Sequence, residues 1–195
     1  GSPTAIVAAS SDETEARSIQ KRFMTECLRV DGNTDVLGVE IGGAAKNVLA
    51  IAAGMADGVS YGDNAKAALV TRGLAEIRRL GQALGADPQT FAGLAGIGDL
   101  VVTCMSRHSR NRHVGEQVSS GKSLEQVVDE MEMVAEGVRT TRSVYNLAKQ
   151  HGVEMPITEA VHAILFDDKS PRKMVKRLMT RSAKHENWLP TTLQR

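Results

Sequence analysis

One run limits what this chain can fold into. Val36 to Met55, VLGVEIGGAAKNVLAIAAGM, is apolar almost all the way round, and a helix of that pattern must be buried on most faces. It is long enough to suggest a membrane span, but Glu40, Lys46 and Asn47 sit inside it and argue against a transmembrane segment. Gly42, Gly43, Ala50 and Ala53 recur at helical spacing around Lys46 and share its face. Two mid-helix glycines cost roughly 1 kcal/mol each relative to alanine, so something is expected to approach this helix closely. Lys46 is the anomaly. Beside small residues its ammonium needs a carboxylate, a cavity or a substrate; the structural alternative is a lysine that snorkels to the surface or pairs with a neighbour. Burial suits a lysine to proton transfer, and Asp99 is the first partner to expect.

The second informative stretch is Gly93-Leu94-Ala95-Gly96-Ile97-Gly98-Asp99-Leu100, followed by Ser109-Arg110-Asn111-Arg112. Its glycines permit close backbone approach. Their order, G-x-x-G-x-G with no β-branched strand before it, fails as a dinucleotide fingerprint. Two arginines around a Ser and an Asn at a helix start make an anion site, phosphate above all; the structural alternative is a capped helix with solvated arginines.

Around these stretches the expected elements are mostly helical. Thr4–Ala9 reads as a short strand, followed by a helix capped by Ser10 or Ser11 and running to about Phe23, with Glu13 and Glu15 in its first turn. Cys27–Val30 reads as a second strand, closed by the turn residues Asp31-Gly32-Asn33. Residues 1–34 therefore look like the tail of an α/β domain that begins upstream, and residues 35–195 like a separate all-helical domain. Asp63 or Asn64 is expected to cap a helix to about Leu84, with Arg72, Glu76 and Arg79 on a solvated or salt-bridged face. Asp87-Pro88 opens a short helix, Leu100–Cys104 is helical, and Ser123 with Gln126 forms a capping box. Further helices are expected over 136–151, 160–166 and 171–182, Met155-Pro156-Ile157-Thr158 marking a break; the tail from Asn187 is expected to fray.

Lys and Arg number 24 against 23 Asp and Glu, which gives a nucleic-acid partner no electrostatic support. Cys27 and Cys104 have no metal or disulfide spacing, which points to a reducing cytoplasm. The histidines show no zinc-like pairing, so no metal is expected.

Several of these segments together resemble one family. Gly38-Val39-Glu40-Ile41-Gly42-Gly43-Ala44-Ala45-Lys46-Asn47-Val48 is similar to the lysine-bearing helix of bacterial NAD(P)-dependent glycerol-3-phosphate dehydrogenases. Thr71–Glu76, Gly96–Leu100, Ser109–Arg112, Val134–Gly137 and Met155–Thr158 match the same family in order and spacing. The resemblance runs from Pro3 to about Glu186. It implies a helical substrate domain of the phosphogluconate-dehydrogenase C-terminal type, preceded by the last part of a Rossmann domain. It also implies reversible hydride transfer between glycerone phosphate and sn-glycerol 3-phosphate with NAD or NADP, feeding phospholipid synthesis. On that resemblance Lys46 gives and takes the substrate's proton beside Asp99, with Thr103 close by. Ser109, Arg110 and Asn111 hold the small phosphorylated substrate, and Arg110, Val134 and Glu136 line the cofactor site. The family's glycine-rich fingerprint and its Gly-Pro-[Ser/Thr]-Phe-Ala stretch are absent from these residues, which leaves the chain by itself expected to be inactive and the NADH or NADPH preference unreadable. Val138 stands where the family usually carries an aromatic.

Two other classes compete. In a helical interaction module the apolar run is a homodimer seam that tolerates Lys46→Met. In an anion-binding regulatory domain the Ser109–Arg112 turn works without chemistry. Lys46 and Asp99 within hydrogen-bond reach in one cleft favours the enzyme.

Overall fold

The apolar run is the post around which the other helices stand. In the computed structural model, which describes residues 1–131 and 135–182, it forms α2, Val36–Gly58. Asp35 caps it, accepting from Gly38 N at 2.9 Å, and also accepts from Asp87 N and from Thr90 Oγ1. Burial raises the Asp35 carboxyl's pKa, but the bonds from Thr90, Gly38 and Asp87 outweigh it and hold the group below the ordinary aspartate value.

Around α2 pack α3 (Asp63–Leu84), α4 (Asp99–Met105), α5 (Arg110–Ser119), α7 (Glu136–Gln150) and α8 (Pro156–Phe166). α6 (Leu124–Asp129) lies against α5, and α9 (Pro171–Met179) lies on α8. Leu49, Ile51, Leu80, Phe91, Leu100 and Met155 fill the core. Among the described residues α2 is the one helix long and apolar enough to cross a membrane. Much of its apolar surface is instead taken up inside the protein, with Ala50, Ile51 and Ala53 wholly buried, while Leu37 near its start stays exposed.

The first segment is a βαβ unit. β1 (Thr4–Ala9) and β2 (Leu28–Asn33) pair in parallel, joined by α1 (Glu13–Phe23). The fold is thus mainly α with a short α/β segment in front, as expected from the sequence.

Local differences have local causes. Asp12, not Ser10 or Ser11, caps α1, accepting from Thr14 N at 2.7 Å, while the Ser10 hydroxyl turns to Glu15. Asp31-Gly32-Asn33 continue β2 because Val7, Ala8 and Ala9 of β1 lie in register beside them, overriding their turn preference. Gly62 occupies the cap of α3 and Asp63 is its first helical residue. α8 begins at Pro156, so the expected break is a helix start; proline at the first position forfeits no helical bond. α9 stops at Met179 rather than 182. The capping box of Ser123 and Gln126 and the cap at Asp87 form as read. The tail expected to fray lies outside the described residues.

Candidate active site

Lys46 and Asp99 meet. Lys46 lies midway along α2 and Asp99 opens α4, and the lysine ammonium donates to Asp99 Oδ2. The Thr103 hydroxyl, one turn along α4, donates to the Asp99 backbone carbonyl at 2.6 Å and lies 3.3 Å from Oδ1. Lys46 keeps 21% of its side-chain surface open and Asp99 38%, so the pair is held yet reachable. This placement rests on a close approach. A Cβ on Gly42 would lie 2.6 Å from the Ala95 carbonyl, so only glycine lets the π-type turn Leu94–Gly98 press on α2 and deliver Asp99 to Lys46. Gly43, expected to share that duty, faces open space. Its carbonyl lies 3.4 Å from Asn47 Nδ2.

A second polar group stands beside the first. Asn111, in the first turn of α5, donates from Nδ2 to Asn47 Oδ1 at 2.9 Å and accepts on Oδ1 from Gly137 N at 2.9 Å. Asn111 therefore ties α2, next to Lys46, to the start of α7, next to Glu136. Ser109 caps α5, its hydroxyl accepting from Arg112 N at 3.3 Å. Arg110 and Glu136 are the exposed first residues of α5 and α7. Val134 lies outside the described residues.

Sequence reasoning passed over two features. Asn47 was noted as polar but not as a site residue, though a polar side chain next to Lys46 in an apolar helix was the available signal. Glu76, expected on a solvated face, is 1% exposed. It accepts from Ile157 N at 2.6 Å, and from Thr158 N and Oγ1, each at 3.1 Å, closing the N-terminus of α8. Burial pushes its carboxyl up to about 7, against the pull of those bonds. Burial likewise pushes the Cys104 thiol up to about 12, leaving it unreactive at neutral pH.

A family model described as NAD-dependent glycerol-3-phosphate dehydrogenase C-terminus matches residues 35–176. The chain belongs to that family. Among named relatives, glycerol-3-phosphate dehydrogenase [NAD(P)+] 1 of Salinibacter ruber is 88% identical over 194 residues, covering 100% of this chain and 57% of the relative. The enzyme of that name from Chlorobium phaeobacteroides is 56% identical, covering 94% of this chain and 55% of its own length. A crystal structure of glycerol-3-phosphate dehydrogenase from Coxiella burnetii superposes with a TM-score of 0.88 at 41% identity, covering 92% of this chain and 55% of that one. This member of the family spans a little over half the length of the relatives it matches. The family model begins at residue 35, where Asp35 caps α2.

Proposed function

We propose that this chain is the substrate-handling portion of an NAD(P)-dependent sn-glycerol-3-phosphate dehydrogenase. Residues 1–34 would close the dinucleotide-binding domain and 35–195 would form the helical catalytic domain. The observation that carries the reading is the Lys46–Asp99–Thr103 cluster, open to solvent on the helix that the family shares.

The cofactor's chemistry fits the residues present. Arg110 offers a guanidinium to a phosphate, Glu136 a carboxylate to hydroxyls, and the Asn111–Gly137 bond sets their two helix starts side by side. The family resemblance also assigns Val134, outside the described residues, to the cofactor. When bound, NAD or NADP exchanges a hydride with the carbon bearing the substrate's secondary hydroxyl. Lys46, as the neutral amine, takes the proton of that hydroxyl as the carbonyl of glycerone phosphate forms and becomes the ammonium that pairs with Asp99; in reduction the ammonium returns that proton. Asp99 orients the lysine and balances its charge, and Thr103 fixes the Asp99 carboxylate. Ser109, Arg110 and Asn111 are assigned to the substrate, with Arg110 on its phosphate.

The same proposal includes an N-terminal Rossmann domain as the chain's partner, a cytoplasmic setting, a place in phospholipid synthesis and a homodimer. The family relation and the nearly balanced charge support a small-molecule substrate over nucleic acid. To test the assignment, the N-terminal half of the Salinibacter ruber relative is joined to this chain and assayed with glycerol 3-phosphate. NAD(P)-linked oxidation is expected. A folded fusion that binds NADH yet leaves glycerol 3-phosphate unoxidised would overturn it.

A further inference from the structure

The two arginines of Ser109-Arg110-Asn111-Arg112 do different work. Arg110 is exposed at the first position of α5. Arg112 turns away from that mouth and inward. Its Nε lies 2.7 Å and its Nη2 2.6 Å from Asp57 Oδ2, near the end of α2. Lys66 of α3 reaches the other oxygen, Oδ1, at 3.0 Å. Glu116 stands 4.0 Å from Arg112 Nη1, and Asp63 lies 3.5 Å from Lys66. Arg112 and Asp57 are each 14% exposed, so this is a largely desolvated ion pair shared among three helices. Pairs of this kind contribute little to net stability but are costly to break from one side, and their attested use is to fix register.

Register is what the site needs here. The helices touch backbone to backbone: a Cβ on Gly54 would lie 1.8 Å from the Arg112 carbonyl, and one on Gly115 would lie 1.9 Å from the Ile51 carbonyl. The glycine contacts already restrict how far α5 slides along α2, because each admits backbone opposite it and nothing larger. The Arg112 guanidinium, with Nε and Nη2 converging on Asp57 Oδ2, adds a directional polar constraint to the same register. One turn or less away, the same helix presents Ser109, Arg110 and Asn111, and Asn111 must sit 2.9 Å from Asn47, the neighbour of Lys46.

We infer that Arg112, held by Asp57, whose other oxygen is fixed by Lys66, is a positioning residue: it sets the α5 N-terminus against Lys46 so that the substrate's phosphate and its reacting carbon are gripped in one geometry. The inference rests on the proposed dehydrogenase reading. Two measurements separate the two. The first uses the 195-residue chain alone and involves no reaction. In Arg112→Gln, the side-chain amide signals of Asn47 and Asn111 and the backbone amide of Gly137 are expected to shift in a nitrogen–proton correlation spectrum; Arg112→Lys, which can still pair with Asp57, shifts them less. The second uses the active fusion with the N-terminal half. There Arg112→Gln is expected to raise KM for glycerol 3-phosphate about tenfold with kcat changed much less, the size of one misplaced charge-assisted contact. Asp57→Asn should do the same, and the double variant no more than either single one. Unmoved Asn47, Asn111 and Gly137 signals, or a KM unchanged despite a lowered melting temperature, would make Arg112 a plain stability contact and overturn the inference. A fusion that fails to oxidise glycerol 3-phosphate, with the amide shifts present, would overturn the dehydrogenase reading and leave the positioning geometry intact.

Discussion

Gly115→Ala puts the α2–α5 contact to the test. The added methyl would lie 1.9 Å from the Ile51 carbonyl, 2.8 Å from Met55 N and 2.9 Å from the Ile51 carbonyl carbon. All three are backbone atoms, so no side chain can swing aside, and α5 must back off by about 1 Å or more to restore ordinary contact. Overpacking of this kind costs about 1–3 kcal/mol. The same movement stretches the Arg112–Asp57 bonds, now 2.6–2.7 Å, and weakening a charge-assisted hydrogen bond costs about 1.5–3 kcal/mol. The sum, roughly 2.5–6 kcal/mol, is a large part of the stability of a domain this size. It corresponds to a melting temperature lowered by roughly 5–24 °C. Gly43→Ala is the control: nothing lies within 4 Å of its Cβ position, and alanine in a helix is favoured over glycine by up to about 1 kcal/mol. Thermal and urea unfolding of both variants decide the matter. A Gly115→Ala protein that melts within 2 °C of its parent, or a Gly43→Ala protein destabilised as much, would refute the close-contact argument.

Two further outcomes are expected. The Glu76 carboxyl is raised by burial from 4.5 to about 7, so between those values the folded state binds the extra proton; its contribution to stability is complete below about pH 4.5 and is lost as pH rises through 7, by roughly 3 kcal/mol. Urea titrations across that range should show this slope in the parent and lose it in Glu76→Gln; equal slopes in the two proteins would place the titration elsewhere. In the fusion with an N-terminal half, Arg110→Lys is expected to raise KM for glycerol 3-phosphate by about 10–150-fold, since an ammonium cannot reproduce the planar fork on a phosphate, and KM values unchanged for both substrate and cofactor would return Arg110 to the solvated surface.

How far the sequence could be read depended on whether a residue's environment is local. α2 was legible because twenty nearly uninterrupted apolar positions can only be core, and Lys46 was legible as the exception within them. Its partner followed because Asp99 comes straight after three glycines, one of the few signs of close packing that a sequence carries. Glu76 was not legible. Its i, i+3 and i, i−4 neighbours are Arg79 and Arg72, the pattern of a solvated face, and its burial is decided by Ile157 and Thr158, some 80 positions away. Arg110 and Arg112 look equivalent in the motif, and only the direction of the helix and the place of Asp57 tell them apart. Gly43 and Gly54 show the same limit: both are helical glycines, but only Gly54 meets the backbone of another helix.

The central claim is that Lys46 moves the proton of the substrate hydroxyl, and removal of its amine tests that most directly. In the fusion with the N-terminal half of the Salinibacter ruber relative, kcat for NAD(P)-linked oxidation of glycerol 3-phosphate is measured for the parent and for Lys46→Ala, with the melting temperature of each as a check on folding. Loss of general acid–base help predicts a fall of about 10²–10⁴-fold in kcat with the fold intact. A folded Lys46→Ala enzyme that kept more than a tenth of the parental kcat would contradict the claim.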